Sequence, residues 1–458
     1  MPVNSFDDYP MSWRPTLHDN GIPKYLQLSE QLKEDIKTGK LLPGTKLPPQ
    51  RELADFLDVN LSTITRVYKI CANQGLLRGN VGKGTYVSYD INTNIFEPPA
   101  YSTPHLIELG ALTPETIRGK DAIALLQEMM QETDARNLFQ YNHEVASWQK
   151  EAAVKLIGRT GFSPDANTIL TASGAQNSIA GIFLGLFHPG DKVGTDRYVY
   201  PGLKSAAKLF GVQLVPIAGK NGEMTAEGIE YAVRNEKIKA LYVMPDYQNP
   251  TTHTMSLSTR KMIASVAERF GIFVIEDAIN SLLSTHPIHP IASYIPERTI
   301  YVISLSKTIM PSLRLAYLAV PEAFYKQMEN ALYNLNLSQS SLLQELAARL
   351  ILSGRVEELL ETRRRGLRIR NHIVEEELTG LTVNGSEECI NRWLLLPEGV
   401  SGRQFEAEAL KRGVHIYGSE RFTVGSTSDT AAARISICSP PTLEELRAGL
   451  KILKEIIE

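Results

Sequence analysis

Between residues 22 and 88 the apolar positions recur first at helical and then at strand spacing. Tyr25, Leu28, Leu32 and Ile36 form one stripe of a predicted helix, with Gly39 as its stop signal. Pro43-Gly44 marks a turn, and Pro48-Pro49 precedes a short helix, Gln50 to Leu57, with Leu53 and Leu57 inward. After a break at Asp58-Val59, Asn60 caps a third helix whose inner stripe is Ile64, Val67 and Cys71, and Gly75 ends it. Leu76 to Val87 (LLRGNVGKGTYV) predicts two short strands around a glycine-rich turn. Two short helices joined by a tight turn fit a helix-turn-helix, in which the second helix enters the major groove of DNA.

Ser88 to His105 has no apolar periodicity and contains Pro98, Pro99 and Pro104, so 89–105 reads as an extended linker. Beyond Ile107 short β-branched runs (TILTAS, ALYVMP, IFVIED, IYVISLS, RLAYLAV) alternate with longer helical patterns. That alternation predicts a mostly parallel sheet with helices on both faces, and ligands in such sheets bind at the carboxyl ends of the strands. The domains expected are an N-terminal extension (1–21), a DNA-binding domain (22–88), the linker, and a large domain (106–458) with a small C-terminal subdomain from about 355.

Composition narrows the class. The chain has 458 residues, 43% of them hydrophobic and 22% charged, which predicts a multidomain globular protein. No apolar run is long enough to cross a bilayer, and the first residues carry no secretory pattern, so no membrane partner is expected. Cys71, Cys389 and Cys438 are far apart, which argues against a disulfide framework and for a reducing cytoplasm. The net charge of −3 is uninformative, but residues 22–87 carry ten basic against six acidic side chains.

Candidate chemistry falls into two groups. On the third helix Ser62, Thr63, Thr65, Arg66 and Lys69 face outward, Arg51 lies on the helix before, and Lys83 and Gly84 sit in the hairpin where a phosphate backbone can approach. For any one of them a solvated polar face is an equal reading. In the large domain Ser173-Gly174-Ala175-Gln176 joins a strand to a helix N-terminus, a ready anion site that many α/β loops share. Lys307 follows Ser304 and Ser306 past a strand end, where a lysine can form a Schiff base, although an isolated lysine is more often a surface residue. Arg314 can clamp a phosphate. Asp277 ends a strand, where a carboxylate can hold a pyridinium nitrogen or simply cap a helix. Asn249 can hydrogen-bond a ring oxygen, and Tyr200 can lie on a ring face. His286 and His289 lack a carboxylate or cysteine cluster, so no metal site is expected. Arg363, Arg364, Arg365, Arg368 and Arg370 read as a solvated helix face paired with Glu357, Glu358 and Glu361.

The order of these motifs carries two resemblances. LPPQRELADFL…STITRVYKICANQGLLRGNVGKGTYV resembles the GntR-type winged helix, with Leu61 standing where many relatives carry a polar or basic residue. SGAQ, YPG, QNPT, the strand-end Asp, S-x-S-K and Arg resemble the fold type I aminotransferases from about Gln140 onward. By that resemblance Lys307 would bind the aldehyde of pyridoxal 5′-phosphate, Asp277 would pair with its ring nitrogen, and Asn249 would meet its ring oxygen. Ser173, Ala175, Gln176, Ser304, Ser306 and Arg314 would surround the phosphate, Tyr200 would stack, and Arg434 would receive a substrate or effector carboxylate. The joined arrangement is similar to that of MocR-type regulators in the GntR superfamily. It implies a winged helix fused to an α/β aminotransferase-like domain with a small α+β subdomain. It also implies double-stranded DNA and an amino effector or pyridoxal phosphate as partners, and a head-to-tail homodimer.

Three positions depart from the family pattern. The tyrosine usual two or three residues after the strand-end aspartate is absent from Asp277-Ala278-Ile279-Asn280. Thr252 replaces the glycine usual after Asn-Pro-Thr, and Tyr141-Asn142-His143-Glu144 replaces a glycine-rich turn. A ligand-responsive regulator is therefore expected. The alternatives are an aminotransferase localised by its DNA-binding domain and a regulator whose large domain is only an oligomerisation scaffold.

Overall fold

The computed structural model describes residues 11–19, 21–37, 40–80, 84–88, 106–114, 120–132, 135–140, 145–425 and 430–458. The chain divides into two compact units, residues 1–95 with 423–429 and residues 96–422 with 430–458. The linker, Lys83 and the 141–144 segment lie outside the described residues.

In the first unit α1 (Lys24–Lys37), α2 (Gln50–Phe56) and α3 (Leu61–Asn73) precede the antiparallel hairpin of β1 (Leu77–Asn80) and β2 (Gly84–Val87). Asn60 caps α3 by accepting from the Ser62 amide, as its position predicts. Leu28, Leu32, Ile36, Leu53, Ile64, Val67, Tyr68 and Cys71 fill the core. Trp13 belongs to that core as well. It is 2% exposed and its indole nitrogen donates to Asp35 Oδ2 on α1 at 2.9 Å. The Thr16 and His18 amides donate to Gln31 and Gln27, so the segment read as an extension is stitched along α1.

The second unit opens with β3 (Ile107–Glu108), α4 (Lys120–Gln131), α5 (Ser147–Gly158), β4 (Ile169–Ala172), α6 (Ala175–Leu186), β5 (Lys192–Thr195), α7 (Pro201–Phe210) and β6 (Gln213–Pro216). The hairpin β7 (Gly219–Lys220) and β8 (Glu223–Met224) follows, then α8 (Ala226–Tyr231), β9 (Ile238–Val243), α9 (Leu257–Phe270), β10 (Phe273–Asp277), β11 (Thr299–Ser304) and β12 (Ala316–Ala319). Seven strands form one sheet in the order β4-β12-β11-β10-β9-β5-β6, in which only β12 runs against its neighbours. The parallel strands are buried along nearly their whole length, which is why their sequences read as unbroken β-branched runs.

Helices α10 (Glu322–Asn336), α11 (Ser341–Leu352) and α12 (Arg355–Glu377) lead to β13 (Val383–Asn384), β14 (Asn391–Leu395), α13 (Gly402–Lys411), β15 (Val414–His415), β16 (Tyr417–Gly418), β17 (Ala432–Ser436) and α14 (Leu443–Ile457). A four-stranded antiparallel sheet, β13-β14-β17-β16, forms the small subdomain. β3 pairs with β15, and Leu109 lies in the same apolar core, so residues 107–109 belong to a subdomain expected to start near 355. Helix α12 spans both cores, with Val356 and Leu360 in one and Leu367 and Val374 in the other. Its arginines are a solvated face only in part, with Arg365 exposed. Arg363 and Arg370 are buried, Arg364 donates to the carbonyls of Leu282, Leu283 and Ser284, and Arg370 donates to those of Ile437 and Pro440. Arg364 and Arg368 pair with Glu361 as the spacing predicted.

Replacing Trp13 by alanine should destabilise the first unit by about 3–5 kcal/mol, the usual cost of emptying a buried tryptophan site. Native-state hydrogen exchange of the full chain would register this as lost protection of α1 and α3 amides. Unchanged protection would show that the 11–19 segment does not contribute to this core.

Candidate functional site

The carboxyl ends of the parallel strands bring together the side chains expected from the sequence. Asp277 ends β10 and is 2% exposed. Its Oδ2 accepts from the Tyr242 hydroxyl at 2.5 Å, while Oδ1 is buried with no hydrogen-bond partner. Burial raises this carboxyl to about 6, against the opposing effects of Tyr242 and the Ile279 amide. Tyr200 lies just before α7, close enough to Asp277 for that carboxylate to help burial raise its phenol to about 12. Gly202 makes the room: a Cβ there would lie 2.2 Å from both the Tyr200 ring and Gln176 Oε1.

At the other end of the site β4 gives way to α6 through Ser173 and Gly174. Gly174 has φ +87°, and a Cβ there would stand 2.8 Å from the Arg314 guanidinium. Arg314 donates to Ser306 Oγ at 3.2 Å and to the Ser173 carbonyl at 3.1 Å, and the Ser306 amide donates to Ser304 Oγ at 3.3 Å. The first-turn amides of α6, those of Ala175 and Gln176 among them, have no intrahelical acceptor. Together with Arg314 and the two serines they make an anion cradle. Ser173 contributes differently from expectation, because its hydroxyl donates to Gln339, accepts from Asn336, and its amide donates to Asn177. Gln176 donates to the Gly202 carbonyl, and its Oε1 is buried without a partner.

Lys307, just beyond β11, is drawn down in pKa by burial; the Arg434 and Arg314 charges add to this and the Cys438 thiol opposes it. Arg434 on β17 is 4% exposed and pulled down to about 10 by burial. It donates to Asn249 Oδ1 at 2.8 Å and stacks between Tyr417 and Phe422. That bond orients the Asn249 amide and leaves its Nδ2 hydrogens for another acceptor. Sequence reasoning missed what Lys307 and Arg434 share. Lys307 donates to the Leu112 carbonyl and Arg434 to the Gly110 carbonyl, two residues apart on one strap of main chain. Glu108 holds the strap by accepting from the Gly110 and Ala111 amides, and His415 pairs with Glu108 at 2.8 Å. Ser439 donates to the Ala111 carbonyl.

The loop that carries Asn249 is clamped by Glu223 at the end of a hairpin. Thr252 takes φ +64°, which explains the usual glycine at this position; a β-branched residue rarely adopts that conformation. Glu223 accepts from the Ser256 amide and hydroxyl, from Thr259 and from His253. Burial alone would push this carboxyl up, but these bonds outweigh it and hold it at about 2.

On the first unit α3 presents Leu61, Ser62, Thr65, Arg66 and Lys69 at the surface, with Thr63 half-buried and Arg51 exposed on α2. Several of these already have partners within the unit. Ser62 is held by Asn60, Thr65 donates to Gln50 at 2.8 Å, and Arg66 stacks 3.8 Å over Tyr25. Gly84 has φ +115° and leaves room for Lys46, a cation beside the hairpin that sequence reasoning passed over.

Two family descriptions match the chain: "Bacterial regulatory proteins, gntR family" over residues 24–87 and "Aminotransferase class I and II" over residues 104–450. The protein belongs to the MocR-type transcription regulators. This regulator is 47% identical to the HTH-type transcriptional regulator YdeF of Bacillus subtilis, over all of this chain and 99% of that one. It is 23% identical over 82% of each chain to the HTH-type pyridoxine biosynthesis transcriptional regulator PdxR of Corynebacterium glutamicum. Its fold is similar to that of Pyrococcus horikoshii kynurenine aminotransferase, with a TM-score of 0.71 and 24% identity over 78% of this chain and 91% of that one. The cofactor of the regulator is pyridoxal 5′-phosphate, and the site fits it: an orphaned buried acceptor at Asp277 Oδ1, an anion cradle around Gly174, and a half-buried lysine just beyond β11. Asn280 stands where the family tyrosine is usual and donates instead to the Tyr247 carbonyl at 2.9 Å. Among the described residues no group of side chains has the make-up of a metal site, and no helix is long and apolar enough to cross a membrane.

The depressed Glu223 carboxyl stabilises the fold above its ordinary pKa, and that contribution fades as pH falls from about 4.5 toward 2. Acid unfolding of Glu223→Gln should therefore be flatter than wild type across that window. Parallel curves would show that Glu223 does not clamp the loop.

Proposed function

We propose that the regulator binds DNA as a homodimer and responds, through pyridoxal phosphate, to an amino compound carrying a carboxylate, or to the cofactor itself. The observation that carries this reading is the strap shared by Lys307 and Arg434. Pyridoxal phosphate supplies an aldehyde that condenses with amines. Lys307 would hold it, with Asp277 Oδ1 accepting a hydrogen bond from the ring nitrogen and Asn249 donating to the ring oxygen. Ser304, Ser306, Arg314 and the first turn of α6 would surround the phosphate, joined by Gln176 and the backbone of Ser173, while Tyr200 would face the ring.

A carboxylate reaching Arg434 competes with the Gly110 carbonyl, and the bond in which both partners carry charge is the stronger of the two. Ligand and strap thus become alternative partners of the same two cations. A ligand that prefers one arrangement shifts the population toward it, and linkage requires nothing more. Ile123, Phe139 and Trp148, apolar and exposed on helices that pack together in the large unit, support pairing of two copies. Three buried free cysteines support a reducing, cytoplasmic setting. Arg51, Lys69 and the hairpin around Lys83 and Gly84 would meet phosphates, and Ser62, Thr63, Thr65 and Arg66 would lie nearer the bases.

The test is the visible spectrum of the full chain with added pyridoxal phosphate, beside Lys307→Ala. Wild type should show a band that borohydride fixes to the protein, and the variant should lack it; no band in wild type overturns the reading. Titration with amino acids should then perturb both the band and DNA binding. Arg434→Gln should move the titration midpoint by about tenfold or more, the effect of losing roughly 1.4 kcal/mol of binding. An unmoved midpoint would remove Arg434 from the effector site.

A further inference from the structure

Tyr242 is the last residue but one of β9, level with Ile275 on one neighbouring strand and Thr195 on the other, and is 1% exposed. In sequence it is one more large residue in an apolar run. In the fold its hydroxyl is the only side-chain donor to Asp277 among the described residues. A carboxylate has two oxygens and rotates about one bond. Holding Oδ2 fixes where Oδ1 goes, and Oδ1 is the oxygen left buried without a partner. Leaving both oxygens dry would be costlier than leaving one.

We propose that Tyr242 is a positioning residue for the cofactor. Its hydroxyl locks the Asp277 carboxylate with Oδ1 presented to the ring nitrogen, and by drawing charge into Oδ2 it limits how far Oδ1 can pull the ring proton. The proposal rests on the cofactor reading above. A phenol donating to one oxygen lowers the basicity of the other, so the proton stays nearer the ring. With the cofactor held at Lys307, a more positive ring would make that lysine nitrogen more acidic. With Asn280 turned toward the Tyr247 carbonyl, the family tyrosine is not available for that tuning at the ring oxygen, and this chain places a buried phenol behind the ring nitrogen instead.

The titratable groups facing Tyr242 are Asp277 from β10, Tyr200 from the start of α7 and Asp196 from the end of β5. Those facing Lys307 are Cys438, Arg434 and Arg314. None is altered by Tyr242→Phe, which removes a single oxygen.

The experiment is a pH titration of the visible band of the full chain loaded with pyridoxal phosphate. Tyr242→Phe should keep the borohydride-fixable band and move its pH midpoint upward by about half a unit or more, from loss of a bond to a charged group. In an Asp277→Asn background the same substitution should move it much less, because the carboxylate through which it acts is gone. Should the phenylalanine variant fold poorly, site-specific 3-fluorotyrosine at position 242, a stronger donor of nearly the same shape, should shift the midpoint downward. A band in wild type whose midpoint ignores both changes at 242 overturns the role of Tyr242 alone. A shift of equal size with and without the Asp277 carboxylate also overturns it. A wild type with no band overturns the cofactor reading and this inference with it.

Discussion

Two cations beside the carboxyl edge of the large sheet, Arg434 buried and Lys307 half-buried, need acceptors, and the main chain from Gly110 to Leu112 supplies one to each. Much of the large unit can be understood from that requirement. Lys307 stands three residues beyond β11 and Arg434 lies on β17. A strap held by Glu108 and Ser439 meets both with its carbonyls. The same strap is the continuation of β3, which pairs with β15, so the small subdomain is fastened to the site by hydrogen bonds at both ends of a short run.

The site also shows how polar groups are distributed when they cannot all be satisfied. Asp277 has one oxygen bound and one bare, Gln176 keeps a bare Oε1, and Arg434 keeps a bare Nε. A protein interior rarely tolerates such a concentration of unmet partners without a ligand to meet them. All three lie near Tyr200.

The residues legible in the sequence are those whose position in a strand–turn–helix unit forces them to the sheet edge. Lys307, Asn249 and Ala175 each follow a β-branched run and Asp277 ends one, and a run of that kind has only one carboxyl end; Arg314 instead precedes the antiparallel β12. The stripe of α3 was equally legible, because Ile64, Val67 and Cys71 can share a core only on a helix. What was not legible had no such period. Tyr242 reads as core within ALYVMP, and only the register of β9 against β10 turns it toward Asp277. The strap has no periodicity at all. Trp13 precedes the first helical stripe, so nothing local announces that it packs on α1. The arginines of α12 misled because their spacing from glutamates suits surface pairs, while the carbonyls they cap lie up to 82 residues away in sequence.

The strap has a mechanical meaning that its hydrogen bonds alone do not convey. Followed backward from Gly110, the chain passes through β3 and reaches His105, the last residue of the segment read as the tether to the DNA-binding half. Gly110 stands two residues beyond the end of β3, so the hold on Arg434 and the pairing with β15 are made by the same few peptide bonds.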